Sequence, residues 1–288
     1  MSTPPAVSFE LFPPANDESE AQLQQTVGRL AAFNPAFVSV TYGAAGSARE
    51  RSDRIVRALL QRNDPVTAAH ITCAGATRTE IDDLVRDWAN AGLRRIVALR
   101  GDAPGMQGPF QPEKNGYRNA ADLVAGLRKI ADFDISVAAY PESHPDSPDA
   151  QADIDNLKRK LDAGAARAIT QYFFEVEDFL RFRERAAKAG IAAPIVPGIL
   201  PITNFAKTQE FSRRCGATVP NWLAARFEGL DDDAETRALV AATTACELCQ
   251  RLLAEGATAF HFYTLNRSTL SAAVCRMLGL RPRLMEAA

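Results

Sequence analysis

Hydrophobic positions in this chain follow two alternating rhythms. Short, nearly continuous apolar and β-branched runs occur at 6–12 (AVSFELF), 37–42 (FVSVTY), 66–73 (VTAAHITC), 95–101 (RIVALRG), 134–141 (DISVAAYP), 168–174 (AITQYFF), 194–201 (PIVPGILP) and 259–265 (AFHFYTL). Between them, apolar residues recur at three- and four-residue spacing, as in Leu23, Val27 and Leu30, or Ile154, Leu157 and Leu161. The first rhythm predicts strands buried on both faces, and the second predicts amphipathic helices. The stretches 49–63, 233–255 and 268–279 fit the helical rhythm. Eight strand-then-helix units in 288 residues predict a closed (β/α)8 TIM barrel, a single domain over 1–288. The competing α/β arrangement is an open doubly wound sheet, which normally shows a G-x-G-x-x-G turn after its first strand. Here the first strand runs into Pro13 and Pro14, and no P-loop is present. The segment between the last two strands, 203–255, exceeds one crossover and reads as an extra helical insertion. Its irregular apolar part around 203–230, including PNWLAARF at 220–227, is expected to serve as a lid or an oligomer contact.

Composition narrows the function classes. Lys and Arg total 33 against 35 Asp and Glu, a net charge of −2, which excludes the basic stripe of a general nucleic-acid binder. No apolar run reaches the roughly 18 residues of a membrane span. The opening MSTPPAVSFE has no basic patch followed by an apolar stretch, so no signal peptide is expected. Five scattered cysteines suggest reduced thiols and a cytoplasmic location. Cys246 and Cys249 form a C-x-x-C inside a helical pattern, without a second pair at zinc spacing, so they read as half-buried helix thiols and no metal is expected.

In a barrel, chemistry gathers at the carboxyl ends of the strands. Those ends carry Glu10, Thr41 with Tyr42, His70, Arg100 with Asp102, Tyr140 with Glu142 and His144, Gln171, and Tyr263 with Asn266 and Arg267. Glu10 is the sharpest of them, one carboxylate inside an apolar strand. A buried carboxylate without a partner takes up a proton and becomes a general acid. The alternative is an edge strand that turns Glu10 to water. His70 taken alone reads as a hydrogen-bonded core histidine. After YPESHP at 140–145, a helix places Asp153, Asn156, Arg159 and Lys160 on one face. Such a row is either a solvated face or a cradle for a ribityl, pyrophosphate and ribose chain.

Nine segments together resemble the bacterial methylenetetrahydrofolate reductase family: SFELFPP, FVSVTYGAAGS, AHITC, LRGD, YPESHP, ITQYFF, PGILP, GLDDDAETR and FHFYTLNR, in order from Val7 to about Pro282. The resemblance implies a catalytic barrel that holds FAD without a Rossmann fingerprint. It implies ping-pong hydride transfer from NADH or NADPH through FAD to 5,10-methylenetetrahydrofolate, giving 5-methyltetrahydrofolate for methionine synthesis. By position, Glu10 matches the general acid and Asp102 the acid beside pterin and flavin. Thr41, Tyr42, Ala44, His70, Arg100, Gly101, Asp102, Ala120, Tyr140, His144, Asp153, Asn156, Arg159 and Lys160 match FAD contacts. Gln171 matches an amide shared by folate and nicotinamide, Phe211 an aromatic that stacks on either substrate, and Tyr263 with Arg267 a folate-side pair. Lys207 stands where better-known bacterial members carry Gln, and its charge would attract the folate glutamate or a nicotinamide phosphate. A homo-oligomer is expected.

Two readings compete with this one. Glu10 and Asp102 also make a carboxylate pair of the kind glycosidases use, at separations of about 5 Å or about 6.5–9.5 Å. A non-catalytic flavin- or folate-binding partner protein would have no need of Glu10.

Overall fold

The computed structural model describes residues 3–42, 47–62, 64–102 and 110–283. Strands β1 (Ala6–Leu11), β2 (Phe37–Val40), β3 (Thr67–Thr72), β4 (Arg95–Leu99), β5 (Asp134–Ala139), β6 (Arg167–Tyr172), β7 (Ile195–Ile199) and β8 (Ala259–Tyr263) alternate with helices. The helices that follow β1 to β6 are α1 (Asp17–Ala31), α2 (Ser47–Arg62), α3 (Arg78–Asn90), α4 (Ala120–Ile130), α5 (Ala150–Asp162) and α6 (Val176–Lys188). Three helices, α7 (Phe205–Cys215), α8 (Asn221–Phe227) and α9 (Ala234–Ala254), separate β7 from β8, and α10 (Ser268–Met277) follows β8. All strand pairs are parallel, and β1 pairs with both β2 and β8, so the sheet closes into the expected (β/α)8 barrel.

Side-chain alternation sorts the strands into two environments. Val7, Phe9 and Leu11 point outward and pack with Leu23, Val27 and Leu30 of α1 in the main core, and Ile71, Ile96, Val137 and Phe262 do the same on other strands. The inward positions are far more polar than the branched apolar layers usual in such barrels. They include Ser8 and Glu10 on β1, Ser39 on β2, His70 and Thr72 on β3, and His261 on β8, all buried. Phe37, Ala68 and Ile169, with Val196, form a small apolar plug. Toward the amino ends of the strands, Asp134 meets Arg167 at 2.7 Å and Arg95 at 3.5 Å, and Arg95 lies over the Phe37 ring.

Several strands stop short of the expected ends. Arg100 and Gly101 leave the β4 ladder because Gly101 adopts a left-handed φ of 81°, where a Cβ would sit 2.9 Å from those of Thr72 and Ala74. The segment expected to be irregular around 203–230 is largely helical. It builds a second core in which Tyr172, Phe174, Leu200 and Ile202 meet Leu223, Phe227 and Ala241. Cys246 and Cys249 are fully buried rather than half-buried, and all five cysteines are free.

The Asp134 carboxylate is the shared partner of two guanidinium groups. Asp134→Ala is expected to cost about 1–3 kcal/mol, read as a lower urea midpoint with unchanged far-UV circular dichroism. An unchanged midpoint would show that this cluster contributes nothing to closure.

Candidate active site

Register places Glu10 between Ser39 on β2 and Tyr263 on β8. The side chain turns into the barrel and the residue is only 8% exposed, so the edge-strand alternative does not hold. Glu10 Oε2 lies 3.6 Å from Nε2 of His70, a separation that suggests an ion pair. Desolvation argues otherwise. Burial pushes the Glu10 carboxyl up from 4.5 to about 8 and the His70 imidazole down from 6.5 to about 3. Moving the proton from Glu10 to His70 against that gap of about 5 units costs roughly 7 kcal/mol. Opposite charges at 3.6 Å recover about 4–5 kcal/mol at an effective dielectric of about 20. Both groups are therefore neutral at pH 7, and the pair is a carboxylic acid facing an imidazole. His70 is a core histidine as read from sequence, yet its Nε2 has no hydrogen-bond partner, and neither does Oγ1 of Thr72 farther along the strand.

Around this acid the interior is tied by polar contacts between distant strands. Ser8 Oγ and Nδ1 of His261 are 2.7 Å apart, and burial with the neighbouring His70 lowers His261 to about 3. The Tyr263 hydroxyl donates to the Thr170 carbonyl at 2.6 Å. That bond passes Gly198, where a Cβ would fall 2.1 Å from the Thr170 oxygen and 2.7 Å from the Tyr263 ring. The Thr264 hydroxyl donates to the Glu10 carbonyl at 2.6 Å, fixing the backbone that carries the acid.

The rim is more polar still. Arg100 donates to Asp146 at 2.7 Å and lies over the Phe110 ring, and Asp102 follows it, exposed. Tyr140 packs edge-on against His144, whose Nδ1 accepts the Asp146 amide at 2.9 Å. Half burial, together with Arg100, holds His144 below its ordinary pKa. Asp153 accepts the His144 amide and the Ser147 hydroxyl at 2.9 and 2.5 Å. Lys160 is buried with its Nζ on the Ala138 carbonyl, and desolvation lowers it to about 8. Asn156 is half-buried and Arg159 exposed, so the row from Asp153 to Lys160 is not a solvated face. Ala120 is buried at the start of α4. Thr41 accepts the Ser52 hydroxyl through its carbonyl, and Tyr42 packs edge-on against Trp88, turned toward α3. Ala44 lies outside the described residues.

On the other side of the mouth, Gln171 is half-buried and its Oε1 accepts the Tyr172 amide. Phe211 is 48% exposed and stacks on Tyr172, which in turn meets Tyr263 edge-on. Lys207 is exposed in the first turn of α7, which Asn204 caps, and Arg267 is exposed at the start of α10. The structure thus brings Glu10, His70 and Tyr263 together inside the barrel. It leaves Asp102, Lys207, Phe211 and Arg267 on the rim. Sequence reasoning gave no role to Glu142, which accepts the Thr218 amide through both oxygens at 2.9 and 3.0 Å. Gly216 packs beside it, where a Cβ would be 2.6 Å from the Ser143 carbonyl. The YPESHP loop therefore anchors the helix that carries Phe211. Glu142 stood among the polar strand ends, but its partner lies 76 residues away.

Comparison with known proteins identifies the family. The family model described as methylenetetrahydrofolate reductase matches residues 2–279. The chain belongs to the methylenetetrahydrofolate reductase family. It is 51% identical over 278 residues to 5,10-methylenetetrahydrofolate reductase of Salmonella typhimurium and equally to that of Escherichia coli, covering 96% of this chain and 92% of each relative. It is 35% identical over 286 residues to an Arabidopsis thaliana protein named methylenetetrahydrofolate reductase (NADH) 1, covering 96% of this chain and 48% of that protein. Among solved structures, an uncharacterised Clostridium thermocellum protein that binds two copies of 5-methyl-5,6,7,8-tetrahydrofolic acid aligns with a TM-score of 0.63 at 17% identity, over 96% of this chain and 95% of that one. At that identity the likeness shows the shared fold.

The buried groups set opposing pH dependences. With the Glu10 pKa raised from 4.5 to about 8, the folded state keeps a proton that the unfolded chain loses, so stability falls as pH rises through that window. With His70 and His261 lowered from 6.5 to about 3, the unfolded chain binds protons that the folded state refuses, so stability falls as pH drops below 6.5. Glu10→Gln should therefore be more stable than wild type at alkaline pH, by an amount that shrinks toward pH 4.5. Urea denaturation across pH reads this directly, and a pH-independent difference would mean that Glu10 is not desolvated.

Proposed function

We propose that this protein reduces 5,10-methylenetetrahydrofolate to 5-methyltetrahydrofolate, taking hydride from NADH or NADPH through bound FAD in two alternating half-reactions. The product would supply methyl groups for methionine synthesis. The observation that carries the reading is the neutral carboxylic acid of Glu10 at the mouth of a closed barrel. The five free cysteines suit a reducing compartment such as the cytoplasm.

The residues present fit the flavin. Buried polar atoms without a partner, His70 Nε2 and Thr72 Oγ1, lie toward the mouth on β3. The left-handed turn at Gly101 brings backbone close to the rim, and Arg100, His144, Asn156, Arg159 and Lys160 offer donors for a pyrophosphate and ribityl chain. Thr41, Tyr42, Asp102, Ala120, Tyr140 and Asp153 complete the set of residues that would hold it. When bound, FAD supplies a two-electron carrier that takes hydride from one substrate and passes it to the next.

The chain's own residues supply the proton and the positioning. Opening the five-membered ring of the folate breaks the bond from N10 to the methylene carbon and leaves an iminium at N5. Glu10 donates its proton to N10 in that step and becomes a carboxylate. Hydride then adds to the methylene carbon to give the N5-methyl group. With a pKa of about 8, Glu10 regains its proton from water spontaneously at pH 7. Tyr263 keeps its hydroxyl on Thr170, so it shapes the wall rather than competing as the acid. Phe211, exposed and backed by Tyr172, presents a ring face to the p-aminobenzoate or the nicotinamide. Gln171 offers its amide to either substrate, and Lys207 and Arg267 offer charge to the folate glutamate.

The purified protein is expected to be yellow, or to become so with added FAD, and to be bleached by NADH or NADPH without folate. Glu10→Gln should retain FAD and the oxidation of NAD(P)H by an artificial acceptor, while folate reduction falls at least about a hundredfold. Loss of both half-reactions together would remove Glu10 as the folate-side acid. With FAD held by these residues, Asp102 would place a negative charge near the flavin and so disfavour its anionic reduced form. Asp102→Asn is expected to raise the flavin midpoint potential in spectroelectrochemistry, and a fall or no change would refute the electrostatic role.

A further inference from the structure

The loop after β5 is held from several directions. Arg185 of α6 donates to the Pro141 carbonyl at 3.2 Å, Asp153 of α5 accepts the His144 amide at 2.9 Å, and Asp146 accepts from Arg100 at 2.7 Å. Glu142 reaches from this fixed loop to the other side of the mouth. Both of its oxygens accept the Thr218 amide, just beyond the end of α7, at 2.9 and 3.0 Å. The stability of α7 does not account for that placement. The carboxyl end of a helix favours cations, and the last turn of α7 already carries Arg213 and Arg214. A carboxylate beside that end opposes the helix dipole, so its contribution lies in joining two parts of the rim.

Two other supports hold the rest of α7. Phe205 at its start stacks on Phe227 of α8 with ring centroids 5.1 Å apart. The buried Ser212 hydroxyl lies 2.9 Å from that of Tyr172, the residue on which Phe211 stacks. Beyond Ser212 the helix ends at Gly216, whose left-handed φ of 76° and missing Cβ let the backbone close on the Ser143 carbonyl. Glu142 completes that closure. Phe211 therefore lies between the support at Phe205 and the clamp at Thr218. With the clamp in place, neither the tilt nor the roll of α7 is free. Without it the last turn pivots about Ser212, and the exposed ring moves with it. A ring that stacks on two different planar substrates in turn works best from one fixed position, because each binding event then orders nothing.

We propose that Glu142 is a positioning residue for both half-reactions: by tying the loop after β5 to the end of α7, it fixes Phe211 where the ring meets either the folate or the nicotinamide. This rests on the two-substrate reading given above. On the FAD-loaded protein, Glu142→Ala should raise KM for NAD(P)H and for 5,10-methylenetetrahydrofolate by the same factor, about tenfold, with kcat within about twofold of wild type. Glu142→Gln keeps one acceptor oxygen for the Thr218 amide and should fall between the two. In a Phe211→Ala background, Glu142→Ala should change neither KM further. Hydrogen exchange, measured on the FAD-loaded protein without substrate, should quicken in the segment 212–219 of Glu142→Ala and stay at wild-type rates in the strands. Additive KM effects in the double variant, or faster exchange throughout the barrel, would make Glu142 a general structural residue and overturn the proposal. A KM raised for one substrate alone, or unchanged for both, would overturn it as well. A wild type that oxidises NAD(P)H with an artificial acceptor but leaves the folate untouched would remove the folate reading, and the nicotinamide KM with the exchange rates would then decide the role of Glu142. No turnover of either substrate would overturn both.

Discussion

Desolvation of one carboxyl group is the constraint around which this barrel is arranged. A closed parallel sheet admits no water from the side, so an inward-facing acid on β1 must be either paired or neutral. The candidate partner, His70, is as deeply buried as the acid and loses more by charging than the pair would regain. The outcome is a proton stored on Glu10 at neutral pH, beside an imidazole nitrogen without a hydrogen-bond partner. A surface glutamate in the same chemical role would be ionised at pH 7 and would have no proton to give.

The rest of the interior supports that state. Phe37, Ala68, Ile169 and Val196 seal the middle, and the Asp134 cluster lies toward the amino ends of the strands. Ser39 Oγ and Thr72 Oγ1 have no partner, while Ser8 with His261, and Tyr263 with Thr170, are tied by bonds between strands. Polar side chains in such a place are costly unless they are satisfied, and these join positions that only closure brings together. The helix-facing side of the sheet is free of such demands and is packed with Val, Leu, Ile and Phe.

Outside the barrel, the three-helix passage from β7 to β8 does two jobs. Its own apolar cluster with Tyr172, Phe174 and Leu200 gives it a rigid base. Glu142 and Gly216 then clamp α7 to the loop after β5. Phe211 is thereby held exposed on a fixed support, which an aromatic platform for flat ligands requires. The exposed ring and the buried acid are products of the same closure, and Phe37 of the plug pairs with Ser8, on the amino-end side of the acid.

Much of this was legible in the sequence, and the limit has a physical reason. The two hydrophobic rhythms determined eight strands, their helices, the parallel sheet and the longer passage after β7, because side-chain periodicity is a local property of the backbone. The acid in SFELFPP and Arg100 were visible as residue types at strand ends, and Asp153 to Lys160 as one face of a helix, whereas Phe211 came only through the family resemblance. What the sequence could not decide was the charge on Glu10, the orphaned nitrogen of His70, the burial of Asp153 and Lys160, or the partner of Glu142. Each depends on groups far apart in the chain, such as Ser8 and His261, 253 positions apart, or Phe12 and Asn266, 254 apart. Electrostatics and hydrogen bonding act through space and through excluded water, and only the closed tertiary structure sets either.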